Sequence, residues 1–195
     1  MKVIGITGKS GSGKTTLASL LAQKLNCRHI DVDKIAYEAL YKPEVLNILQ
    51  ERFGSEIVDE NGNLDRIKMG DIVFTQRDIM KELTNLTLNY MQQQLDSVIS
   101  QDDETIVIEW VLLPYTKYWK LCNSKILISS DDEERKSRVI SRDNISAKSF
   151  DKRDFASVNY SEIQFDYIFE NDYQAQTINS MLNTFLNREI EEEER

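Results

Sequence analysis

Residues 3–15 read V-I-G-I-T-G-K-S-G-S-G-K-T, and this stretch decides the fold. The run 3–6 is short, apolar and followed by glycine-rich sequence, which predicts a buried strand. From residue 15 to residue 25, leucines recur with the i, i+3, i+4 and i+8 spacing of one helix face. Residues 8–15 fit the pattern G-x-x-x-x-G-K-[ST]. A strand, this turn and a helix in that order predict a phosphate-binding loop.

The residue types of the loop suit a triphosphate. Glycines let backbone N–H groups converge on an anion without interference from a Cβ atom, and the following helix adds a favourable dipole. Lys14 is placed to contact the β- and γ-phosphates, and the Thr15 hydroxyl is placed to coordinate Mg²⁺. The predicted ATP-binding residues of the loop are Gly8, Gly11, Ser12, Gly13, Lys14, Thr15 and Thr16.

The loop alone serves kinases, GTPases and mechanical ATPases, and other parts of the sequence reduce this choice. No N-K-x-D string that would read a guanine base occurs in the chain. Residues 59–62 match D-x-x-G, but the pair Asn61-Gly62 is typical of a tight turn. A large motor or transporter ATPase needs a longer chain than 195 residues. These observations disfavour a GTPase and a motor.

Short apolar runs alternate with helical patterns along the rest of the chain. The runs lie at residues 28–32, 105–108, 126–128 and 167–169. Strands separated by helices predict an α/β fold, a P-loop NTPase with a five-stranded parallel sheet flanked by helices. The stretch 35–100 is rich in helical patterns and poor in strands, which indicates a helical insertion. We expect residues 1–195 to form one domain.

Composition sets the broad class of protein. There are 24 Lys and Arg against 33 Asp and Glu, a net charge of −9, which argues against a nucleic-acid partner because such a partner needs a broad basic face. Two cysteines cannot form a disulfide framework, and a single histidine leaves almost nothing from which to build a His-based zinc site or a Ser/His/Asp triad. No stretch approaches the roughly 18 apolar residues of a membrane helix, and the first residues do not form a signal peptide. We expect a cytoplasmic protein with a small-molecule substrate.

Carboxylates follow two of the predicted strands, at the sheet edge where ligands bind. Asp31 and Asp33 end the second strand, and period-two alternation predicts that they share one side of it. A carboxylate there can accept the proton of an attacking hydroxyl or orient magnesium-bound water. The alternative is that Asp33 only caps a helix beginning near Lys34. Glu109 ends the third strand and is predicted to orient magnesium-bound water, whereas His29 is interpreted as a packed or surface residue.

A basic segment follows the fourth strand. From Arg135 to Arg153 there are seven basic side chains and two acidic ones, in a chain that is acidic overall. Arg138 and Arg142 are one helical turn apart, so both can point the same way and hold phosphate oxygens. Arginine can also stabilise charge on a phosphoryl group in transfer. For the lysines of this segment, a solvated helix face is the alternative interpretation.

Several stretches resemble landmarks of the dephospho-CoA kinase family, in the right order. Besides the phosphate loop, residues 30–36 (I-D-V-D-K-I-A) are similar to the family's I-D-A-D-x-I-A segment. Residues 138–143 (R-V-I-S-R-D) are similar to the R-x-x-x-R-D stretch that opens its lid. Further matches are R-F-G at 52–54, G-N-L-D-R at 62–66, I-V-F at 72–74 and D-Y-I-F-E-N at 166–171. The similarity covers most of the chain.

The resemblance implies a kinase that phosphorylates the ribose 3′-hydroxyl of dephospho-CoA with ATP and Mg²⁺, giving CoA. It implies that Asp33 is the base or orienting carboxylate. Arg138 and Arg142 would be cations of a lid over about residues 138–160, acting with Lys14 in catalysis. Asn171 would lie near the adenine of ATP, Asp31 would contact the metal through water, and the insertion would bind the acceptor.

The chain departs from the family pattern where the acceptor is expected to bind. Thr84-Asn85 stands where the family has His-Pro, and residues 109–115 read E-W-V-L-L-P-Y where it has D-x-P-L-L-F-E. Phe155 and Ser161 lie near the places of an expected Gln and basic residue. Two alternatives therefore stay open. One is a kinase of the same build acting on a nucleoside or another small hydroxyl compound, and the other is a non-catalytic ATP sensor.

Overall fold

Strands and helices alternate along the chain in the computed structural model, which describes residues 2–65, 68–69, 77–101, 105–155 and 158–193. The strands are Val3–Thr7 (β1), Arg28–Asp31 (β2), Ile106–Glu109 (β3), Ser124–Ser129 (β4) and Tyr167–Glu170 (β5). The α-helices are Lys14–Leu25 (α1), Val32–Ala39 (α2), Pro43–Phe53 (α3), Arg77–Gln101 (α4), Asp132–Asp143 (α5), Ala147–Phe155 (α6) and Ala175–Glu193 (α7). In the described part of the chain, no helix combines the length and the apolarity needed to cross a membrane. Arg66 and the stretch 72–74 lie outside the described residues.

All five strands belong to one parallel sheet, in the order β2-β3-β1-β4-β5. The central strand β1 pairs with β3, where Ile6 lies opposite Glu109, and with β4 on its other side. Asp31, the last residue of β2, also lies opposite Glu109. The carboxyl ends of parallel strands meet at one edge, which is where such sheets bind ligands. The predicted five-stranded parallel sheet is confirmed.

The middle of the sheet is buried. Every residue of β1 and of β3 is buried. Helices α1 and α7 pack on the sheet, and their apolar side chains form one cluster with the strands that includes Leu17, Leu21, Leu182 and Phe185. Removal of each such side chain from water contributes about 1.5–3 kcal/mol to folding. This packing fixes the carboxyl end of β1 relative to the amino end of α1.

The boundary between β2 and α2 differs from the sequence prediction. β2 ends at Asp31 and α2 begins at Val32, so Asp33 lies in the first turn of a helix. The prediction that Asp31 and Asp33 share one side of a strand is therefore wrong. The capping alternative is also wrong, because the helix begins before Asp33 rather than near Lys34. An acidic residue in a first turn is stabilised by the helix dipole, which favours the observed helix over a longer strand.

Residues 32–102 and 152–156 form a second compact unit. In this unit α2 contacts α4, and an apolar cluster contains Val45, Leu49, Ile57, Leu64 and Met69. The predicted tight turn at residues 59–62 is confirmed. Asp59 accepts hydrogen bonds from the backbone N–H groups of Asn63 and Asn61 at 2.9 Å, and they hold the pKa of Asp59 below its ordinary value. The described residues here are mostly helical, as predicted; that they share one domain with the sheet stays a prediction.

Helices α5 and α6 carry the basic segment. The Asp131 side chain caps α5 by accepting hydrogen bonds from the backbone N–H groups of Glu133 and Glu134. Asn144, in a left-handed conformation, ends the helix. The R-x-x-x-R-D stretch is therefore the second half of α5. The predicted lid over about 138–160 comprises this half of α5, then α6, and includes residues 156–157, which lie outside the described residues.

Candidate active site

The phosphate loop runs from Gly8 to Gly13, between the end of β1 and the start of α1. Gly13 caps α1 with φ of 101°, a left-handed conformation. A Cβ atom there would also lie 2.3 Å from Asn171 Nδ2, so only glycine fits. The first N–H groups of a helix have no acceptor within it, which leaves those of α1 for an anion. Thr15 and Thr16 lie in this first turn, and both are exposed.

Two side chains that follow β5 hold the backbone of the loop. Asn171 donates from Nδ2 to the Ser12 carbonyl at 2.8 Å. Tyr173 donates its hydroxyl to the Gly11 carbonyl at 3.1 Å. Because the protein itself engages these carbonyls, the shape of the loop does not depend on a ligand. The strand–loop–helix prediction is confirmed, and the loop is in addition preorganised.

Two polar side chains of the loop are buried. Lys14 is only 7% exposed, and its ammonium donates to the Lys9 carbonyl at 3.2 Å, so a fixed positive charge lies within the loop. The Ser12 hydroxyl is buried and has no hydrogen-bond partner among the described residues. An unsatisfied buried hydroxyl costs about 1–3 kcal/mol. A fixed cation and an unpaired hydroxyl fit a loop built for an anion better than they fit a plain turn.

Glu109, at the end of β3, joins the loop to β2. It is 1% exposed, and its Oε2 accepts a hydrogen bond from the Thr15 hydroxyl at 3.0 Å. Its other oxygen, Oε1, lies 3.0 Å from His29 Nε2. The carboxylate is therefore neither unpaired nor at the surface. The structure brings together two of the three residues predicted to face the metal, Thr15 and Glu109.

Asp31 stands beside Glu109 because the two residues are register partners on neighbouring parallel strands. Partners in a ladder place their side chains on the same face of the sheet. Two carboxylates therefore lie side by side at the carboxyl edge, as the sequence predicted for these two positions. Asp33 is exposed and belongs to the second compact unit. Its catalytic role stays a prediction.

Arg135 is the buried arginine of α5. It is 2% exposed, and Nη1 donates to the Ser10 carbonyl at 3.3 Å. Nη2 lies 2.8 Å from Asp132 Oδ1, and the guanidinium stacks 5.3 Å from the centre of the Phe150 ring. The hydrogen bond from Arg135 holds the pKa of Asp132 below its ordinary value of 3.8. Arg135 thus connects α5 and α6 to the phosphate loop.

The two predicted catalytic arginines of α5 have exposed side chains. Arg142 donates from Nε to Asp143 at 2.7 Å and from Nη2 to the Ser10 hydroxyl at 3.4 Å. The hydrogen bond with Asp143 raises the pKa of Arg142 above its ordinary value, so the side chain stays cationic. The Arg138 guanidinium stacks 4.0 Å from the centre of the Tyr173 ring, a cation–π contact. Arg142 thus touches the loop directly, and Arg138 touches a residue that holds it.

Asn171 uses both ends of its amide on the protein. Besides the bond from Nδ2 to Ser12, its Oδ1 accepts a hydrogen bond from the Tyr173 backbone N–H at 2.9 Å. The side chain is 2% exposed. The observed role of Asn171 is to hold the loop, and its predicted place near the adenine of ATP stays a prediction.

The altered segment after β3 is well packed. Trp110 is 4% exposed, and its carbonyl accepts a hydrogen bond from the Thr7 hydroxyl at 2.9 Å. The Tyr160 hydroxyl donates to the Val111 carbonyl at 2.8 Å. Tyr115 is 53% exposed. Of the other altered positions, Asn85 and Ser161 are exposed, and the side chains of Thr84 and Phe155 lie outside the described ones.

Sequence reasoning missed three residues of this site. His29 carried one signal, because it precedes Asp31 by two residues and so faces the same side of β2. Arg135 follows Asp132 by three residues on a helix, a spacing that predicts an ion pair but not contact with the loop. Tyr173 carried no signal, because its role depends on where the chain passes after β5.

The oxygen atoms at this edge suit Mg²⁺. Among the described residues, no group of three or more His, Cys, Asp or Glu side chains could hold a metal ion. Magnesium does not need such a cage, because it usually keeps several waters and binds one or two carboxylates together with substrate phosphates. The Thr15 hydroxyl and the carboxylates of Glu109 and Asp31 fit an ion of this kind that arrives with a triphosphate.

Comparison with known proteins agrees with this geometry. The family model for dephospho-CoA kinase matches residues 2–176. The dephospho-CoA kinase of Fusobacterium nucleatum is 31% identical over 154 residues, 77% of this chain and 78% of that protein. That of Leptospira interrogans is 33% identical over 147 residues, 73% of this chain and 70% of that protein. The solved dephospho-CoA kinase from Campylobacter jejuni shares the fold, with a TM-score of 0.67 at 22% identity over the whole of both chains. Taken with the phosphate loop, these matches place the chain in the dephospho-CoA kinase family.

Proposed function

We propose that this protein transfers the γ-phosphoryl group of ATP to the ribose 3′-hydroxyl of dephospho-CoA, giving CoA and ADP. One observation carries the proposal. A preorganised phosphate loop with a buried lysine lies beside Thr15 and Glu109, in a chain that matches the dephospho-CoA kinase family over residues 2–176. In the transfer, the 3′-oxygen forms a bond to the γ-phosphorus while the bond from that phosphorus to the β,γ-bridging oxygen breaks.

The loop binds the triphosphate. Backbone N–H groups of the loop and the start of α1 would face the phosphates, and Lys14 would supply a positive charge to the β- and γ-phosphates. Thr15 would bind Mg²⁺ directly, and Glu109 and Asp31 would bind it through water. The metal ion, when bound, neutralises charge on the phosphate oxygens. The N–H groups, Lys14 and the metal ion would stabilise negative charge on the phosphate oxygens during the transfer, and electrostatic stabilisation of this kind is usually the largest contribution to the rate.

Asp33 is proposed to orient the 3′-hydroxyl and accept its proton. It follows Asp31 by two residues, and its side chain is exposed. Arg142 and Arg138 are proposed to hold phosphate oxygens from the side of α5. The contact of Arg142 with Ser10 supports this role, because it places the guanidinium next to the loop. An arginine at this point stabilises charge on the transferring group.

The test is an acceptor assay with purified protein, ATP and Mg²⁺. Dephospho-CoA should be converted to CoA, detected by mass, while adenosine and other nucleosides at the same concentration should react at least about a hundredfold more slowly. Asp33→Asn should reduce kcat about 10²–10⁴-fold and leave ATP binding intact. No product from dephospho-CoA at high enzyme, with ATP still bound, would remove this acceptor. If Asp33→Asn leaves the ATP-dependent behaviour of the protein unchanged, the result favours an ATP sensor.

A second candidate is a kinase of the same build for another small hydroxyl compound. It is favoured by the altered segment after β3, in which Trp110 is buried and Tyr115 stands 53% exposed. A nucleoside that outcompetes dephospho-CoA in the same panel would establish it.

We propose that the reaction takes place in the cytoplasm. Both cysteines, Cys27 and Cys122, are free thiols. Burial raises the pKa of the Cys122 thiol to about 12, which keeps it protonated and unreactive. Free thiols suit a reducing compartment that also supplies ATP. Fractionation of the cells that express the protein would test this placement.

A further inference from the structure

We propose that His29 is a positioning residue for the metal site: through one hydrogen bond it fixes the Glu109 carboxylate beside Thr15. The inference rests on the proposed use of ATP with Mg²⁺ at the phosphate loop. His29 is the single histidine of the chain, and it precedes the stretch 30–36 on which the family resemblance depends. It has no part in the roles assigned above.

Four side chains from α1, β2 and β3 form a hydrogen-bonded row. Thr15 Oγ1 donates to Glu109 Oε2 at 3.0 Å, and Glu109 Oε1 lies 3.0 Å from His29 Nε2. His29 Nδ1 in turn lies 3.3 Å from Ser19 Oγ. Thr15 and Ser19 are four residues apart on α1, so they project from the same face of the helix. The row therefore begins and ends on the helix that starts in the phosphate loop.

The direction of each hydrogen bond follows from its chemistry. An ionised carboxylate only accepts hydrogen bonds, so the hydrogen between His29 and Glu109 lies on Nε2. The other ring nitrogen of a neutral imidazole then accepts from the Ser19 hydroxyl, which selects this tautomer. On the far side, the Thr15 hydroxyl gives its hydrogen to Glu109. The lone pairs of the Thr15 oxygen are thereby left for a cation.

Burial makes the bond from His29 important. Glu109 is 1% exposed, so in the folded protein its Oε1 relies on the His29 donor rather than on bulk water. Without His29, the carboxylate is expected to turn toward another donor, and Thr15 then loses its fixed acceptor. Replacing a residue that orients a metal-binding group by a hydrogen bond typically changes metal affinity 10–100-fold. His29 acts through Glu109, so we expect the lower end, about tenfold.

The first experiment separates metal binding from nucleotide binding. The Kd of the non-hydrolysable analogue AMPPNP is measured in EDTA and again in excess Mg²⁺, for wild type, His29→Ala, His29→Gln and Ser19→Ala. His29→Ala should leave the Kd in EDTA unchanged and weaken the Kd in Mg²⁺ about tenfold. His29→Gln should recover most of the loss, because its amide can donate at a similar reach. Ser19→Ala should show a smaller loss, and Gln23→Ala, exposed on the same helix, should show none.

The second experiment uses the single histidine as a probe. In ¹⁵N-labelled wild type, the imidazole resonances should report a hydrogen on Nε2. They should shift when AMPPNP is added with Mg²⁺, and shift much less when it is added in EDTA. This measurement tests the positioning role of His29 even if His29→Ala fails to fold, which thermal unfolding would reveal.

Three results would overturn the proposal. They are an unchanged Kd in Mg²⁺ for folded His29→Ala, a His29→Gln variant as weak as His29→Ala, and imidazole resonances that ignore Mg²⁺. Failure of the proposed function looks different. If wild type makes no CoA but the Mg²⁺-dependent Kd still responds to His29, the acceptor is wrong and the positioning role stands.

Discussion

The phosphate loop and α5 both bring cations to the site, and the protein holds them in different ways. In the loop, Lys14 is 7% exposed and sits within a backbone that Asn171 and Tyr173 hold by hydrogen bonds. On α5, the Arg142 side chain is 59% exposed, and its strongest contact is with its neighbour Asp143. One cation is fixed by the fold, and the other is held mainly by an exposed ion pair.

The difference corresponds to two tasks. A charge that is fixed in advance costs no reorganisation during the reaction, so it stabilises the transition state most strongly. An exposed ion pair is worth about 0–1 kcal/mol, so Arg142 can exchange Asp143 for a phosphate oxygen at little cost. We therefore expect Lys14 to act in every bound state and the arginines of α5 to join as the substrates bind.

The largest effect is expected from Lys14→Met, which keeps the buried stem and removes the fixed charge. We expect kcat/KM to fall about a thousandfold, because one preorganised donor of this kind is worth about 10²–10³-fold. Thermal unfolding should change little, since Met fills a similar volume. Lys148→Met, an exposed lysine of α6, is the matched control and should keep its rate. A loss of less than tenfold for Lys14→Met would contradict a fixed catalytic cation.

The loop and the sheet could be predicted because their signals are local. A glycine pattern between an apolar run and a leucine stripe specifies strand, turn and helix within residues 3–25. The side chains that hold the loop lie far along the chain, Asn171 more than 150 residues after Ser12. No local pattern reports such a contact. The family resemblance identified Asn171 as a site residue, but only the structure shows its hydrogen bonds.

The next effect separates the arginines of α5. Arg142→Ala should lower kcat about a hundredfold and leave the free energy of unfolding unchanged, because its side chain is largely exposed. Arg135→Met should instead act mainly on stability. The lost bond to the Ser10 carbonyl should lower the free energy of unfolding by about 1–3 kcal/mol. Steady-state rates and urea unfolding of both variants test the contrast. Equal losses of stability would show that the exposed and buried arginines do not differ in role.

One prediction from the sequence failed at a boundary rather than in element type. Asp33 was expected in a strand because alternation suited it, but the helix dipole favours an acidic residue in a first turn, and α2 begins at Val32. His29 was interpreted as a packed or surface residue, and the structure does not contradict that, but the sequence could not name its partner. Its partner Glu109 lies on a neighbouring strand, and no local stretch of sequence reveals the order of the strands in the sheet.

A smaller effect is expected from Asn171→Ala, which tests whether preorganisation of the loop matters for binding. Loss of the bond to the Ser12 carbonyl should lower the free energy of unfolding by about 1–3 kcal/mol and weaken ATP about tenfold. Asn123→Ala is the matched control, since its side chain binds the backbone of β1 at Val3, 2.8 Å away. That variant should lose stability without losing ATP affinity. ATP binding that weakens equally in both variants would mean that general stability, not the shape of the loop, governs binding.

The smallest effect concerns the ion pair behind the loop. The Arg135 hydrogen bond lowers the pKa of Asp132 in the folded protein, so folding favours the ionised form. The stabilisation is present above the ordinary pKa of 3.8 and is lost as the pH falls through the lower, folded value. Asp132→Asn should therefore lower the free energy of unfolding at pH 7 by a few tenths of a kcal/mol, because Asp132 is 71% exposed.

Urea unfolding at pH 7 and at about pH 3 measures this effect, and the difference between the wild type and Asp132→Asn should be smaller at the lower pH. Glu133→Gln is the matched control, because it removes an acid from the same helical turn without touching Arg135. In an Arg135→Met background, Asp132→Asn should then cost no more than Glu133→Gln does, since the partner is gone. If Asp132→Asn still costs more than Glu133→Gln in the Arg135→Met background, the stabilisation by Asp132 comes from Lys9, 3.8 Å away, rather than from Arg135.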